Sequence, residues 1–172
     1  MITLTGNRGF LLRHLLPEII ESNIQNTVFH FAFPSDRDDF KNTQNMRDIM
    51  KYSMKVFDDA MENNQKIIFA SSEAVLHDDT WYSANKKALE YYINDYDKSL
   101  ILRIPRVYGK DRNKGLIKSL KNGTFDGDWF QMIEYMDIND WVKETSQILH
   151  TFGIYEYKNK KRNIIKEINE KY

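Results

Sequence analysis

The sequence contains no cysteine among its 172 residues. Disulfides, thiol nucleophiles and thiolate metal sites are excluded with it. It also lacks an excess of charge of either sign, because 25 Lys and Arg balance 25 Asp and Glu. A formal net charge of zero argues against a dedicated nucleic-acid binder, which needs a basic field to gather phosphates. No apolar run reaches the roughly 20 residues of a membrane span, and none has the form of a signal peptide. A cytoplasmic protein without membrane or nucleic-acid partners is the expectation. At this length one domain over residues 1–172 is the default, with room for a sizeable core.

What is present is an ordered series of apolar strands and amphipathic helices. Ile2 to Thr5 reads as a short strand, and Gly6-Asn7-Arg8-Gly9 turns the chain into a helix over Phe10 to Ile20. Leu11, Leu12, Leu15, Leu16, Ile19 and Ile20 recur there at helical spacing. Pro17 removes a hydrogen bond from that helix and predicts a kink on its outer face. A glycine turn leading into a helix aims backbone N–H groups and a positive dipole end at a phosphate. Asn26 to Phe33 is the next strand, ended by Pro34-Ser35. Residues 43–64 form a helix with Met46, Ile49, Met50, Met54, Phe57, Ala60 and Met61 on one face.

Lys66 to Ala70 is a strand that opens into Ser71-Ser72-Glu73. A helix from about Thr80 to Tyr96 follows, with Ala84, Ala88, Leu89, Tyr92 and Ile93 on its apolar side. Leu100 to Ile104 is an uninterrupted apolar run of the kind found in parallel sheets. Beyond Gly109 the pattern weakens. Asn113 to Leu120 suggests a short helix and Met132 to Ile138 a strand; Asn139 then caps a helix running to about His150. Ile164, Ile165 and Ile168 mark a closing amphipathic helix. Tyr155 to Arg162 is basic and aromatic, and its lysine run reads as a solvated face, with a nucleotide-phosphate contact as the alternative.

Chemistry concentrates at Tyr82 and Lys86, which stand four apart on a helix and so share a face. An ammonium beside a phenol favours the phenolate and pulls its pKa down from about 10. Such a tyrosine can exchange a proton with a substrate oxygen near neutral pH. A serine hydroxyl at the end of the preceding strand, from Ser71 or Ser72, would hold the same oxygen.

Several short motifs follow one another in a specific order. They are Thr5-Gly6-Asn7-Arg8-Gly9-Phe10, His30-Phe31-Ala32, Ser71-Ser72, Tyr82 to Lys86, Arg103 to Gly109, and Asp137-Ile138-Asn139-Asp140. Over about residues 1–150 this order resembles the extended short-chain dehydrogenase/reductases. That family comprises NAD(P)-dependent nucleotide-sugar epimerases, dehydratases and 4-keto reductases. The resemblance implies an α/β fold: a reduced Rossmann-like, doubly wound parallel sheet with a very small C-terminal substrate lobe in about residues 110–172.

The resemblance also implies roles. Tyr82 would be the acid/base, Ser72 would orient the reacting oxygen, and Lys86 would lower the tyrosine pKa and hold the nicotinamide ribose. Bringing that pKa near 7 takes roughly 4 kcal/mol, which Lys86 and a cationic nicotinamide would supply together. The implied cofactor contacts are Gly6, Asn7, Arg8, Gly9, Phe10, Leu11, Phe31, Ala32, Phe33, Ala70, Tyr82, Lys86, Pro105 and Val107. The implied nucleotide-sugar contacts are Ser72, Glu73 and Arg106, and no metal is implied. Duller readings stand beside these. Ser71 and Ser72 would cap the strand end, Glu73 would be a solvated carboxylate, and Arg106 an exposed arginine. His30 reads as a packed strand residue.

The sequence departs from the family pattern in three places. Leu12 replaces the third glycine, which normally lets helix and strand lie close. The second and third strands are skipped, together with the acid that holds the adenosine ribose, so the first strand should become an edge. Arg8 between the two glycines then implies NADP(H) in preference to NAD(H). The loop from Leu76 to Trp81 is shorter than is usual in the family, which predicts an altered separation of Ser72 and Tyr82. A homodimer through helices of about residues 44–63 and 80–96 completes what the family implies. A non-catalytic NADP-binding sensor or scaffold is the alternative function; the missing strands favour it, and the retained Ser72, Tyr82 and Lys86 oppose it.

Overall fold

The computed structural model describes residues 1–33, 43–77, 80–112 and 115–172. Five strands lie side by side and parallel: β1 (Ile2–Thr5), β2 (Thr27–His30), β3 (Lys66–Ser72), β4 (Ser99–Ile104) and β7 (Gly153–Glu156). The central strands are apolar throughout because helices cover both faces. In β3, Ile68 and Ala70 pack with Leu12, Leu15 and Ile19 of α1 (Phe10–Glu21) and with Trp141 of α5 (Ile138–Ile148). Ile67 and Phe69 belong to the opposite face, as the period of two requires. They meet Phe57 and Ala60 of α2 (Thr43–Glu62) and Leu89 and Ile93 of α3 (Trp81–Ile93). The result is the expected doubly wound sheet.

β1 ends the sheet, as a chain without the second and third strands requires. α1 carries the chain directly from β1 to β2, which pair from Ile2↔Thr27 to Thr5↔His30. Leu12 is fully buried between α1 and the sheet, so an apolar side chain fills the space that a glycine would leave open. His30 is wholly buried, with Nδ1 2.8 Å from Thr5 Oγ1 and Nε2 2.9 Å from Ser53 Oγ. Burial, and after it the charge of Lys86, lower its pKa to about 3, so it is neutral. It is a packed strand residue that ties α2 to the edge of the sheet.

A second sheet begins where the first ends. β5 (Val107–Tyr108) pairs parallel with β6 (Met132–Asp137), and β6 pairs antiparallel with β8 (Lys161–Ile164). α4 (Gly115–Lys121) and α6 (Ile165–Lys171) supply Ile117, Leu120, Ile165 and Ile168 to its core, around Tyr108 and Tyr135.

Several expectations need correction. Gly153–Glu156 is a fifth strand beside β4 that the sequence pattern did not suggest, and the adjoining Tyr157 is buried, while Lys158 and Lys161 of the lysine run are exposed. Asn139 does not cap α5; Asp137 does, accepting from the Asn139 N–H at 3.0 Å, because the extended end of β6 brings its carboxylate to the helix start. Ile20 lies on the exposed side of α1. α3 buries Ser83, Lys86, Leu89, Glu90 and Ile93, whereas Ala84, Ala88 and Tyr92 face outward. Its inward stripe is partly polar because Lys86 and Glu90 find partners inside. Pro17 sits within α1 on the exposed side, where the lost hydrogen bond was expected to fall. The expected strand stop at Pro34-Ser35 and the expected helix start at Asn113 lie outside the described residues.

Candidate active site

The site forms where the parallel strands end, the usual place for ligands in open α/β sheets. β3 delivers Ser71 and Ser72 in different environments. Ser71 is buried and donates to the Glu90 carboxylate. Ser72, extended at φ −145° and ψ 143°, accepts from the Ala74 N–H at 3.3 Å and starts a 3-10 turn over Glu73–Leu76. It therefore caps the turn and also lines a cavity. The capping and substrate readings of Ser72 are compatible.

Tyr82 is fixed by the start of α3. Thr80 Oγ1 accepts from the Ser83 N–H at 3.2 Å, and Ser83 Oγ accepts from the Thr80 N–H at 3.1 Å. This reciprocal capping box sets the first helical turn, on which Tyr82 stands. Despite the short preceding loop, Tyr82 and Ser72 open onto the same cavity of about 720 Å³. Glu73, Pro105, Arg106 and Val107 line it as well. The other predicted cofactor residues, Gly6 to Leu11, Phe31 to Phe33 and Ala70, do not line it, and neither does Lys86.

Lys86 lies behind the tyrosine and is only 3% exposed. Its ammonium donates to the Ala70 carbonyl and lies 4.3 Å from the Phe33 ring centroid, 4.9 Å from that of Phe69 and 5.9 Å from that of Tyr82. Burial lowers its pKa to about 7, against the raising pull of Glu90. The Phe33 ring also meets Tyr82 edge-on at 5.9 Å. Aromatic rings thus cover the lysine on the side where an open ammonium was expected. Glu90, four residues beyond Lys86 on the same helix, is held chiefly by Arg103, whose Nη2 lies 2.7 Å from Oε2.

The glycine turn forms a separate part of the site. Gly6 has φ +77°, and a Cβ there would lie 2.6 Å from the Phe31 carbonyl carbon and 2.7 Å from the Ala32 nitrogen. Only glycine allows this approach. The Gly9 N–H closes the turn on the Gly6 carbonyl at 2.8 Å, leaving Asn7, Arg8 and Gly9 exposed.

Sequence reasoning missed several cavity residues: His77, Tyr108, Arg112 and Glu134. It also missed Lys160, which pairs with both Glu73 and Glu134. Lys160 lies in a run of basic residues with no local signal to distinguish it. Among the described residues no cluster of metal-ligating side chains occurs, and no helix is long and apolar enough to cross a membrane.

No protein-family model matches the chain, and no curated protein matches it by sequence. Solved structures do. A hypothetical dTDP-4-dehydrorhamnose reductase from Sulfolobus tokodaii matches at 17% identity over 99% of this chain and 80% of that one, with a TM-score of 0.74. WbmG from Bordetella bronchiseptica, solved with NAD and UDP, matches at 16% over 98% and 76%, with a TM-score of 0.75. A dTDP-4-dehydrorhamnose reductase from Bacillus anthracis, solved with NADP, matches at 16% over 99% and 78%, with a TM-score of 0.67. The chain shares the fold of these three structures. That fold extends past the motifs of residues 1–150, because β7, β8 and α6 are included in the match. One of these structures was solved with NAD and another with NADP.

Proposed function

We propose that the protein is an NAD(P)-dependent oxidoreductase or epimerase of nucleotide sugars, with Tyr82 as its acid/base. The observation that carries this reading is Tyr82 and Ser72 on one cavity at the carboxyl end of a parallel sheet, with Lys86 one helical turn behind. The glycine turn fits a dinucleotide, because it is closed on itself and a side chain at Gly6 would strike the end of β2. Gly6 to Leu11 would hold the pyrophosphate, with Phe31, Ala32 and Phe33 beside them, and Ala70, Pro105 and Val107 on the nicotinamide side. A bound dinucleotide supplies hydride transfer to or from a sugar carbon. Ser72 orients the sugar oxygen, and Tyr82 gives or takes its proton.

Arg8 favours NADP(H). It is exposed on the turn, and no carboxylate pairs with it among the described residues. A guanidinium suits the 2′-phosphate, and such contacts are worth about ten- to a hundred-fold in affinity. Titration should return tighter binding of NADP(H) than of NAD(H), and Arg8→Ala should remove the difference. Equal affinities in the wild type would defeat the preference.

A second reading has one specific observation behind it. The Lys86 ammonium is taken up by the Ala70 carbonyl and covered by Phe33, which suits a module that binds a dinucleotide without turning over a sugar. Incubating the full chain with NADP(H) or NAD(H) and a panel of nucleotide sugars separates the two. Sugar products followed by chromatography support the enzyme. Dinucleotide binding with no product from any sugar moves the assignment to the binding module.

A further inference from the structure

One cation on the cavity wall has nothing in the described structure to balance it. Arg112 follows β5 in a turn closed by its own N–H on the Gly109 carbonyl at 3.0 Å. A Cβ at Gly109 would lie 2.8 Å from Ile138 Cγ2 and 3.0 Å from Phe10 Cζ, so the turn is seated directly on α5 and α1. The neighbouring acid, Asp111, is engaged by Arg13 and by His14 Nε2 at 2.9 Å. The Arg112 guanidinium stands 5.2 Å from the Phe10 ring centroid, and the residue lines the cavity beside Tyr82. No carboxylate pairs with it among the described residues. Burial accordingly lowers its pKa, opposed only by the phenols of Tyr108 and Tyr82.

The remaining charges on the cavity point the same way. Arg106 lines it too, again without a carboxylate partner among the described residues, and both arginines act on Tyr108. The two cavity carboxylates, Glu73 and Glu134, share Lys160, and Glu134 is also held by Arg162. The uncompensated charge on this cavity is therefore positive. A partly desolvated guanidinium without a counter-ion costs free energy, which an anionic ligand would recover. Its planar fork of donors matches phosphate oxygens two at a time.

We propose that Arg112, with Arg106, anchors the pyrophosphate of a nucleotide that fills this cavity. The assignment rests on reading the cavity as the substrate site of the proposed enzyme. A volume of about 720 Å³ lies within the usual range for small-molecule sites. Two pyrophosphates compete for this role, that of a nucleotide in the cavity and that of a dinucleotide on the glycine turn. Arg112 lines the cavity and the glycine turn does not, which favours the first.

Calorimetric titration of the full chain with UDP, dTDP, inorganic pyrophosphate and NADP tests this directly. Arg112→Gln should weaken the first three by about ten- to a hundred-fold and leave NADP within about two-fold. Arg112→Lys keeps the charge but loses the fork, and should recover part of the loss. Should Arg112→Gln not fold, Arg112→Lys alone carries the test, with a predicted loss of about three- to ten-fold for UDP. Weaker NADP with unchanged UDP assigns Arg112 to the dinucleotide and overturns the proposal. Unchanged affinities, or a wild type that binds neither UDP, dTDP nor pyrophosphate, overturn it as well. Pyrophosphate binding that depends on Arg112, without any UDP or dTDP binding, leaves the anchor standing and removes the nucleotide-sugar reading.

Discussion

Lys86 answers two demands that pull its charge in opposite directions. A full ammonium would best favour the phenolate of Tyr82, yet burial lowers the lysine pKa to about 7. In the unfolded chain a lysine titrates near 10.4, so between about pH 7 and 10 the unfolded state binds more protons than the folded one. Stability from this group therefore rises with pH across that window, and the cost of burial is complete below it. Lys86→Met removes the titration. It should stabilise the fold near neutral pH, with an advantage that shrinks by up to about 1.4 kcal/mol per pH unit toward pH 10. Urea melts of both proteins across the window check this, and a constant gap would place the lysine's titration elsewhere. Phe33 imposes a second constraint, because its ring covers the ammonium at 4.3 Å. If a ribose must reach Lys86, Phe33 has to move, and Phe33→Ala should tighten NADP(H) binding by about three- to ten-fold. Unchanged or weaker binding would show that the ring does not stand in the ribose's way.

At the scale of elements, α3 is held to the sheet by charge as well as by Leu89 and Ile93. Glu90 is only 4% exposed and accepts from Ser71 and from Arg103, and Arg103 reaches on to Glu156 of β7 at 2.7 Å. Removing one partner of such a buried pair leaves the other uncompensated. Arg103→Met should therefore destabilise by about 3–5 kcal/mol in denaturant melts. It should also speed hydrogen exchange in β7 first, because that edge strand loses its side-chain tie to β4 and keeps only the backbone pairing. A loss below about 1 kcal/mol would mean that water reaches Glu90 readily. This network marks the limit of sequence reading. β3, β4 and α1 were legible because their apolar spacing matches a strand or helix period, and the motif order located Ser72 and Tyr82 at one strand end. The buried side of α3 was not legible, since Lys86 and Glu90 enter the core only with partners distant in sequence. β7 was hidden because four residues at a sheet edge carry little apolar pattern. Arg112 resembled any surface arginine until the fold showed which acids were already engaged.

For the whole molecule, the face of α3 that turns away from the sheet has no cover among the described residues. Trp81 is 68% exposed and Tyr91 72%, with the exposed Ala84 and Ala88 between them on one stripe. Met50, Met54 and Met61 of α2 pack inward against the core, so the exposed apolar side chains of this helix pair are mostly those of α3, together with Tyr52 of α2. We propose that a second copy covers it in a symmetric dimer, since a self-complementary helix face suits an isologous contact. Sedimentation at about micromolar concentration should return a dimer, and the double variant Trp81→Glu, Tyr91→Glu a folded monomer. A wild-type monomer would discard the contact. Whether Tyr82 carries the proton is measured most directly by turnover of wild type and Tyr82→Phe on a nucleotide sugar that the wild type converts, at saturating cofactor. Loss of only the hydroxyl should cut turnover by about a hundred- to ten-thousand-fold while cofactor affinity stays within a few-fold. Turnover within about ten-fold of wild type would contradict it and remove Tyr82 from the chemistry.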